Sequence, residues 1–171
     1  MSKKKESITA VDDNKPLYGN IQSLGRALKS GADPNAKNEF GWAMLHHAAN
    51  TGDVEMVKLL LSHGADPNAL ATWQGQTPLH IVFDSYLKTR KHTDTVECAC
   101  REIACLLIEA GADVNAIDRK YREPIGYLIS NTSAKLCRAI VQDPRVKKDV
   151  RIKIRQTLDA ILRTEIKFGA A

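Results

Sequence analysis

A hexapeptide that occurs three times, once with a single change, is the feature that most limits what this chain of 171 residues can fold into. The residues GADPNA stand at 31–36 and again, 33 residues later, at 64–69, and GADVNA stands at 111–116. A period of this length indicates that one small structural unit is repeated and that neighbouring units share a continuous core. We therefore expect a row of similar units.

The clearest copy of the unit spans residues 38–70 and has the pattern of two short helices. Each half has apolar residues at helical spacing: Leu45, Ala48 and Ala49 in the first, and Val54, Val57, Leu60 and Leu61 in the second. Gly52 separates the two helices, and Gly64 ends the second. A pair this thin cannot bury both apolar faces alone, so further pairs must flank it.

This unit resembles an ankyrin repeat, with a polar turn, a short helix, a glycine break, a second helix and a glycine-led exit. The resemblance implies an all-α, ankyrin-type helix-turn-helix solenoid with short hairpin loops and a C-terminal capping helix. It also implies that His46 and His80 each bond the backbone of the adjoining hairpin. Four more residues are expected to be structural, namely the helix-starting Thr77 and Pro78 and the exit glycines Gly64 and Gly111.

We expect about four units, of which the first and last are degenerate. A flexible tail, 1–9, precedes units at about 10–37, 38–70, 71–117 and 118–143, and a basic amphipathic helix over 144–171 follows them. In the last unit Glu123-Pro124-Ile125-Gly126 replaces Thr-Pro-Leu-His, and Pro144 closes the unit.

The third unit is 14 residues too long, because 47 residues separate its two flanking hexapeptides. One extra residue falls before Gly75, and the other 13 follow His80. Asp94 with Glu97 three residues later predicts a capping box. We expect two lengthened helices with about six added residues each, joined by a short basic turn at 88–92 and overhanging their neighbours by roughly 8–10 Å.

The sequence contains no pattern typical of catalysis or metal binding. It has no Gly-rich phosphate loop, GxSxG or HExxH, and Cys98, Cys100 and Cys105 on one helix cannot converge as zinc ligands. With Cys137 they lie in or beside apolar helical segments, as reduced thiols do. We expect no enzymatic activity, no metal and no cofactor.

The chain has the features of an intracellular protein. It lacks a run of about 18 apolar residues, and its N-terminus lacks the apolar centre of a signal peptide. We expect a cytoplasmic location, with the nucleus or delivery into a host cell as alternatives.

The ankyrin resemblance implies a protein–protein interaction module, as an adaptor, scaffold or inhibitor, that binds through hairpin tips and the rim of the first helices. The positions carried over are Glu39, Phe40, Trp42, Asn50, Thr51, Trp73, Gln74, Gln76, Asp84, Ser85, Arg119, Lys120, Arg122, Ser130 and Asn131. Because Trp and Arg often dominate interface energies, we expect a partner with an apolar anchor and acidic residues. The alternative is that each Trp shields only its own hairpin.

The tail from Arg145 to Lys167 carries eight Lys or Arg against three acids, which accounts for the whole formal net charge of +5. We interpret this amphipathic segment as a cap on the last repeat. The alternatives are a nucleic-acid-binding or anionic-membrane-binding helix, or a bacterial effector that acts on host proteins through its repeats. The context of Leu107 and Asp113-Val114-Asn115 also resembles that of a hydroxylated repeat asparagine.

Overall fold

The computed structural model describes residues 21–38, 41–72, 74–88, 93–120, 122–124, 131–156 and 159. The predicted tail 1–9, the predicted first helix of the first unit and residues 160–171 lie outside these ranges, as do Ile125 and Gly126.

The described residues form helices and one isolated antiparallel bridge between Lys37 and Ala43. The helices are α1 (Ile21–Lys29), α2 (Met44–Thr51), α3 (Val54–Ser62), α4 (Pro78–Lys88), α5 (Asp94–Glu109), α6 (Asn131–Gln142) and α7 (148–156). This is the helical stack that the repeated hexapeptide predicted.

The helices lie in two layers. α2 packs on α4 in one layer, while α1, α3, α5 and α6 follow one another in the second. Leu45 and Leu79 occupy matching positions on α2 and α4, and Leu60 and Leu107 do so near the ends of α3 and α5. None of these four side chains is more than 1% exposed. The apolar spacing in each helix therefore points into one continuous core.

The third unit is lengthened mainly in its second helix. α4 has 11 residues against 8 in α2, and α5 has 16 against 9 in α3. The connection 89–93 has three residues more than its counterpart 52–53. The prediction of lengthened helices is confirmed, but the expected equal division is wrong, and α5 extends about 10 Å further than α3 at 1.5 Å per residue.

The start of α5 lies one residue earlier than predicted. Thr93 is the N-cap, and its side chain accepts a hydrogen bond from the Val96 N–H at 3.3 Å. The predicted capping box of Asp94 and Glu97 is therefore wrong by one residue, because the Thr93 hydroxyl takes the capping position. The carboxylates of Asp94 and Glu97 lie in the first turn of α5 instead, where their negative charge interacts favourably with the helix dipole.

The C-terminal segment lies beside α4, α5 and α6. Ile154 on α7 is 2% exposed and Val146 is 1% exposed. Ile154 closes an apolar void of about 10 Å³, which is also lined by Leu79, Phe83, Ile108, Val114, Cys137 and Ile140. The predicted capping helix is thus present over 148–156.

Basic residues of the tail hold this cap in place. Arg145 donates to Glu102 of α5 at 2.9 and 2.7 Å and to Asp143 at 2.9 and 2.8 Å. Its guanidinium holds the pKa of both carboxyls below their usual range. Arg151 donates to the carbonyls of Asp143 and Val146 at 2.8 and 2.6 Å. These bonds connect α5, the turn after α6 and α7.

Candidate functional site

The hairpins between units are closed by short backbone bonds. In the first hairpin the Asn38 N–H donates to the Trp42 carbonyl at 2.9 Å, and in the third the Asp118 N–H donates to that of Arg122 at 3.1 Å. In the second hairpin the Ala71 N–H donates to the Gln76 carbonyl at 2.9 Å. This hairpin is therefore one residue longer than the other two. The extra residue predicted before Gly75 is therefore present.

The second and third hairpins each accept a hydrogen bond from a buried histidine of the preceding unit. His46 Nδ1 accepts from the Ala43 N–H at 3.1 Å, so the ring proton lies on Nε2, which donates to the Gln76 carbonyl at 3.1 Å. His80 makes the same contacts with the Thr77 N–H and the Arg122 carbonyl, at 3.1 and 3.0 Å.

Burial sets the charge of these histidines. It lowers the pKa of His46 to about 4 and also lowers the pKa of His80, so both rings are neutral at pH 7. The predicted structural contact between each imidazole and the adjoining hairpin is present in both units.

The helix starts and exits follow the predicted pattern. The Thr77 hydroxyl lies 2.8 Å from His80 Nδ1, and Pro78 is the first residue of α4. Ala43 takes the same place before α2, where it offers no side-chain cap. Gly64 and Gly111 have φ of 84° and 96° after their helices.

The loops that follow the second helices are linked from unit to unit. Asn35 donates to the Gly64 carbonyl at 3.1 Å and accepts from the Asp66 N–H at 2.7 Å. Asn68 repeats both bonds with Gly111 and Asp113, at 3.0 and 2.7 Å. The repeated asparagine therefore fixes the register of neighbouring loops.

Trp42 packs in part against side chains of α2. Its half-buried ring lies 5.9 Å from the ring of His46 and 5.1 Å from that of His47, centroid to centroid. These contacts favour the alternative in which the ring shields its own hairpin. Three of the predicted contact residues, Glu39, Phe40 and Trp73, lie outside the described residues.

Two other predicted contact residues are used inside the fold. Gln76 is only 4% exposed and lies at the base of its hairpin, so its prediction as a contact residue does not fit its burial. Arg122 donates to the buried carboxylate of Asp118 at 3.2 and 3.0 Å. Gln76 therefore has a structural role, and Arg122 has one at least in part.

The hairpin side that remains exposed combines apolar and basic side chains. Three residues that were predicted to contact a partner are exposed: Gln74, Arg119 and Lys120. Sequence reasoning missed Leu70 and Ile117, which are 52% and 59% exposed. Each directly follows a copy of the hexapeptide, where the first copy is followed by Lys37. We call this surface the hairpin edge, formed by Lys37, Leu70, Gln74, Ile117, Arg119 and Lys120.

The predicted rim residues lie at the opposite end of the helices. The Ser85 hydroxyl donates to Asn50 Oδ1 at 2.6 Å, and Asp84 pairs with Lys88 at 2.6 Å. α2 has eight residues, so about 12 Å separates this end from the hairpins. The structure therefore divides the predicted contact residues between two surfaces. Ser130 lies outside the described residues, as does the side chain of Asn131.

A cleft of about 210 Å³ opens beside these rim residues, where α5 extends past the α2–α3 turn. Its lining is Ala49, Asn50, Thr51, Gly52, Ser85, Tyr86, Thr95, Val96, Ala99 and Cys100. We call it the step cleft. Sequence reasoning missed its α5 wall, which is formed by residues at the start of the lengthened α5.

The cysteines are free thiols, and three of them are buried. Burial raises the pKa of Cys100 to about 11, and those of Cys105 and Cys137 to about 12, which keeps these thiols protonated. Within the described ranges, no group of three or more His, Cys, Asp or Glu is placed to hold a metal ion. In the same part of the chain, no helix has the length and apolarity to cross a membrane.

Comparison with known proteins gives a consistent family match. A family model described as ankyrin repeats in three copies matches residues 14–118. Human Rabankyrin-5 is 33% identical over 110 residues, which is 64% of this chain and 9% of the relative. Mouse 2-5A-dependent ribonuclease is 40% identical over 79 residues, 43% of this chain and 11% of that protein. FPV222, an ankyrin repeat protein of fowlpox virus, is 30% identical over 135 residues, 68% of this chain and 18% of its own length. The chain thus spans less than a fifth of each of these relatives.

Proposed function

Because this protein belongs to the ankyrin repeat family, whose repeats are generally protein–protein interaction modules, we propose that it binds another protein through its hairpin edge. By binding this partner the protein would act as an adaptor, a scaffold or an inhibitor. A reducing, intracellular setting is part of the proposal, since the buried cysteines are free thiols.

The observation that carries this proposal is the exposed pair Leu70 and Ile117. Single exposed apolar residues are ordinary on protein surfaces. These two, however, occupy equivalent positions on adjacent loops that Asn68 links directly. Burying both against a partner removes apolar area from water at the centre of the edge.

The charges around this pair support a partner with acidic residues beside its apolar anchor. Arg119 and Lys120 are exposed on the third hairpin, and Lys37 is exposed on the first. Lys37 Nζ donates to the Leu70 carbonyl at 3.0 Å, which keeps this ammonium beside the apolar pair. Acidic groups of a partner would gain complementary contacts on both sides.

The basic tail supports a cap better than a nucleic-acid or membrane surface. Arg145 and Arg151 are committed to contacts within the protein, and Lys153 lies 3.6 Å from Glu123. Lys147, Lys148 and Arg155 remain exposed in the described part of α7 and its approach. The positive charge available to an outside partner is smaller than the sequence count suggests.

No catalytic role forms part of the proposal. Ankyrin repeats are typically non-catalytic. The mouse 2-5A-dependent ribonuclease is named for an activity, but the matched stretch covers only 11% of it. We therefore carry no activity over from that relative.

Affinity capture from a cell lysate tests the proposal with matched variants. The hairpin variant combines Leu70→Ser, Ile117→Ser, Arg119→Glu and Lys120→Glu. The control is Ile152→Ser, which removes an apolar side chain that is 47% exposed on α7. Wild type and control should capture the same proteins, and the hairpin variant should lose them. Equal capture by all three forms would contradict the proposal.

A further inference from the structure

The loops that follow the second helices share one conformation, and we call them the exit loops. They span residues 31–37, 64–70 and 111–117. In each, the alanine N–H donates to the carbonyl of the aspartate three residues earlier, at 3.3, 3.2 and 3.3 Å. The asparagine N–H donates to Oδ1 of the same aspartate, at 2.9, 2.8 and 2.8 Å. Equivalent side chains of the three loops therefore leave equivalent backbone positions.

The first exit loop reaches forward onto the second at three points. The Asn35 side chain donates to the Gly64 carbonyl and accepts from the Asp66 N–H, at 3.1 and 2.7 Å. Lys37 Nζ donates to the Leu70 carbonyl at 3.0 Å. With the glycine as residue i, the receiving loop thus offers a carbonyl at i and an N–H at i+2 to the asparagine. It places residue i+6 beside the last residue of the loop before it.

Asn115 has the same position in the third exit loop, but it bonds no following loop. Asn68, its equivalent in the second loop, bonds the Gly111 carbonyl and the Asp113 N–H at 3.0 and 2.7 Å. Within the described residues, the Asn115 side chain makes one bond, from Nδ2 to Asp113 Oδ1 of its own loop at 3.3 Å. An amide nitrogen has two donors and its oxygen is an acceptor, so exposed Asn115 keeps one donor and its acceptor for another molecule.

The turn after α6 does not take the place of a fourth exit loop. In this turn Asp143 lies 3.7 Å from Arg101, and Arg145 donates to Glu102 at 2.9 and 2.7 Å. Glu102 precedes the last residue of α5, Glu109, by seven residues. This is roughly 10 Å along the helix at about 1.5 Å per residue. The turn is therefore bonded to the side of α5 and not to the third exit loop.

The capping helix also leaves the outer side of the third exit loop open. Ile154 of α7 lines an apolar void together with Val114, which is only 5% exposed. By contrast, Asn115 is exposed and Ile117 is 59% exposed. Because Lys37, the equivalent of Ile117, extends onto the next loop, Ile117 extends towards the place that a fourth loop would occupy.

We propose that Asn115 and Ile117 bind a loop of a partner protein that has the conformation of this chain's own exit loops. Asn115 donates to the carbonyl of its residue i and accepts from the N–H of residue i+2, and an aliphatic residue at i+6 covers Ile117. In this chain the aspartate and the asparagine of each exit loop hold that conformation. The sequence expected in the partner is therefore Gly-x-Asp-x-Asn-x-aliphatic. The proposal rests on the proposed function, because Ile117 belongs to the hairpin edge.

A second copy of this chain fits the site less well. It could offer only its first exit loop, since Asn35 and Asn68 already bond the other two. That loop has Lys37 at i+6 in place of an aliphatic residue. Each exit loop follows a helix that packs on the helix of the preceding unit, so this arrangement would bring α1 onto α5, where α6 already packs. We therefore expect a different protein as the partner.

A peptide of residues 62–70, Ser-His-Gly-Ala-Asp-Pro-Asn-Ala-Leu, is the probe, because it contains the loop that Asn35 binds. Its binding to the isotope-labelled full chain is measured from amide chemical shifts, at peptide concentrations up to the millimolar range. We expect saturable shifts of the Asn115 side-chain amide and of the backbone amides at 115–117.

Altered peptides test the two contacts separately. Methylation of the aspartate nitrogen removes the N–H at i+2, and serine in place of leucine removes the aliphatic residue at i+6. Each change should weaken binding about threefold or more. Methylation of the alanine nitrogen at i+1 is the control, because the Asn35 side chain does not bond that N–H. It should leave binding unchanged.

Protein variants place the peptide on the third exit loop. Asn115→Ala and, separately, Ile117→Ser should each weaken binding about threefold or more. Asn50→Ala, which removes another exposed asparagine side chain, is the matched control and should bind like wild type. Absence of saturable binding, or binding that ignores both Asn115→Ala and methylation at i+2, would overturn the inference. So would a dimer in sedimentation that Asn115→Ala abolishes, because the occupant would then be a second copy.

The capture experiment separates this inference from the proposed function. If the peptide fails to bind while a captured protein still depends on the hairpin edge, only the role of Asn115 and the loop conformation are wrong. If capture is also independent of the hairpin edge, the proposed function fails with them.

Discussion

The neutral imidazole of His46 makes two hydrogen bonds to buried backbone groups, one as acceptor and one as donor. One ring nitrogen accepts from the helix start and the other donates to the next hairpin, so a single side chain satisfies two buried backbone groups. Protonation would place a second N–H against the Ala43 N–H and would charge a fully buried ring. The hairpin support is therefore sensitive to pH.

We expect the stability of the protein to fall as the pH drops from about 6.5 towards 4. The folded pKa of His46 is about 4 against an ordinary value of 6.5, so the unfolded chain takes up the proton first. This contribution is fully present above pH 6.5 and amounts to roughly 3 kcal/mol at about 1.36 kcal/mol per pKa unit. Urea unfolding at pH 7.5, 6 and 5 measures the loss.

The variant His46→Gln isolates this contribution. At pH 7.5 it should cost about 1–3 kcal/mol, because a buried backbone partner loses its hydrogen bond. Its further loss between pH 7.5 and 5 should be smaller than in wild type. An equal loss in both forms would assign the pH dependence to other groups.

At the level of structural elements, the first two hairpins pack closely against each other at Gly41 and Thr72. Gly41 has φ of 74°, and a Cβ there would collide with the side chain of Thr72 and lie 2.8 Å from its backbone nitrogen. Gly52, at the α2–α3 turn, has a similar φ of 72° with open space around it. The two glycines differ only in whether a neighbouring hairpin is present.

We expect Gly41→Ala to destabilise the protein more than Gly52→Ala. The second variant should cost about 1 kcal/mol for the left-handed backbone alone. The first adds displacement of the Thr72 backbone and should exceed it by about 1 kcal/mol or more. Thermal unfolding of both variants at one pH provides the comparison. Equal costs would mean that the second hairpin does not pack on Gly41.

The cap depends on one arginine. We expect Arg145→Gln to cost about 2–4 kcal/mol, because Asp143, whose side chain is 5% exposed, loses its closest cationic partner. The Arg145 guanidinium holds the pKa of Asp143 and Glu102 low. Stability from these carboxylates is therefore present above about pH 4 and lost below it. The stability lost below about pH 4 should be smaller in the Arg145→Gln variant than in wild type.

Lys58→Gln is the matched control for the cap. It breaks an exposed ion pair with Glu55 and should leave the unfolding free energy nearly unchanged. Urea unfolding of both variants gives the two values. If Arg145→Gln costs no more than Lys58→Gln, the network does not hold the cap.

Considered as a whole, the stack was predictable because stacking is local and periodic. The hexapeptide, the helix spacing and the matching histidines each specify contacts with the next unit, so the sequence predicted the helical layers, the extra hairpin residue and the lengthened third unit. The division of the insertion was missed because three of its 13 residues lengthen the connection 89–93 and only three lengthen α4, which leaves seven for α5.

The candidate site was predicted less completely, because exposure is a property of the assembled stack. The family pattern led to Gln76 and Trp42, which the fold uses internally. It overlooked Leu70 and Ile117, although both follow the repeated hexapeptide. The step cleft needed the relative ends of α3 and α5, which no residue pattern records.

The central claim is that binding belongs to hairpin-edge side chains that the stack does not need. Amide chemical shifts of the isotope-labelled protein, recorded with and without its captured partner, test it most directly. The account predicts that the largest changes occur at Leu70, Gln74, Ile117, Arg119 and Lys120. Changes centred instead on the step-cleft residues Thr95, Val96 and Ala99 of α5, or on the cap at 148–156, would contradict it.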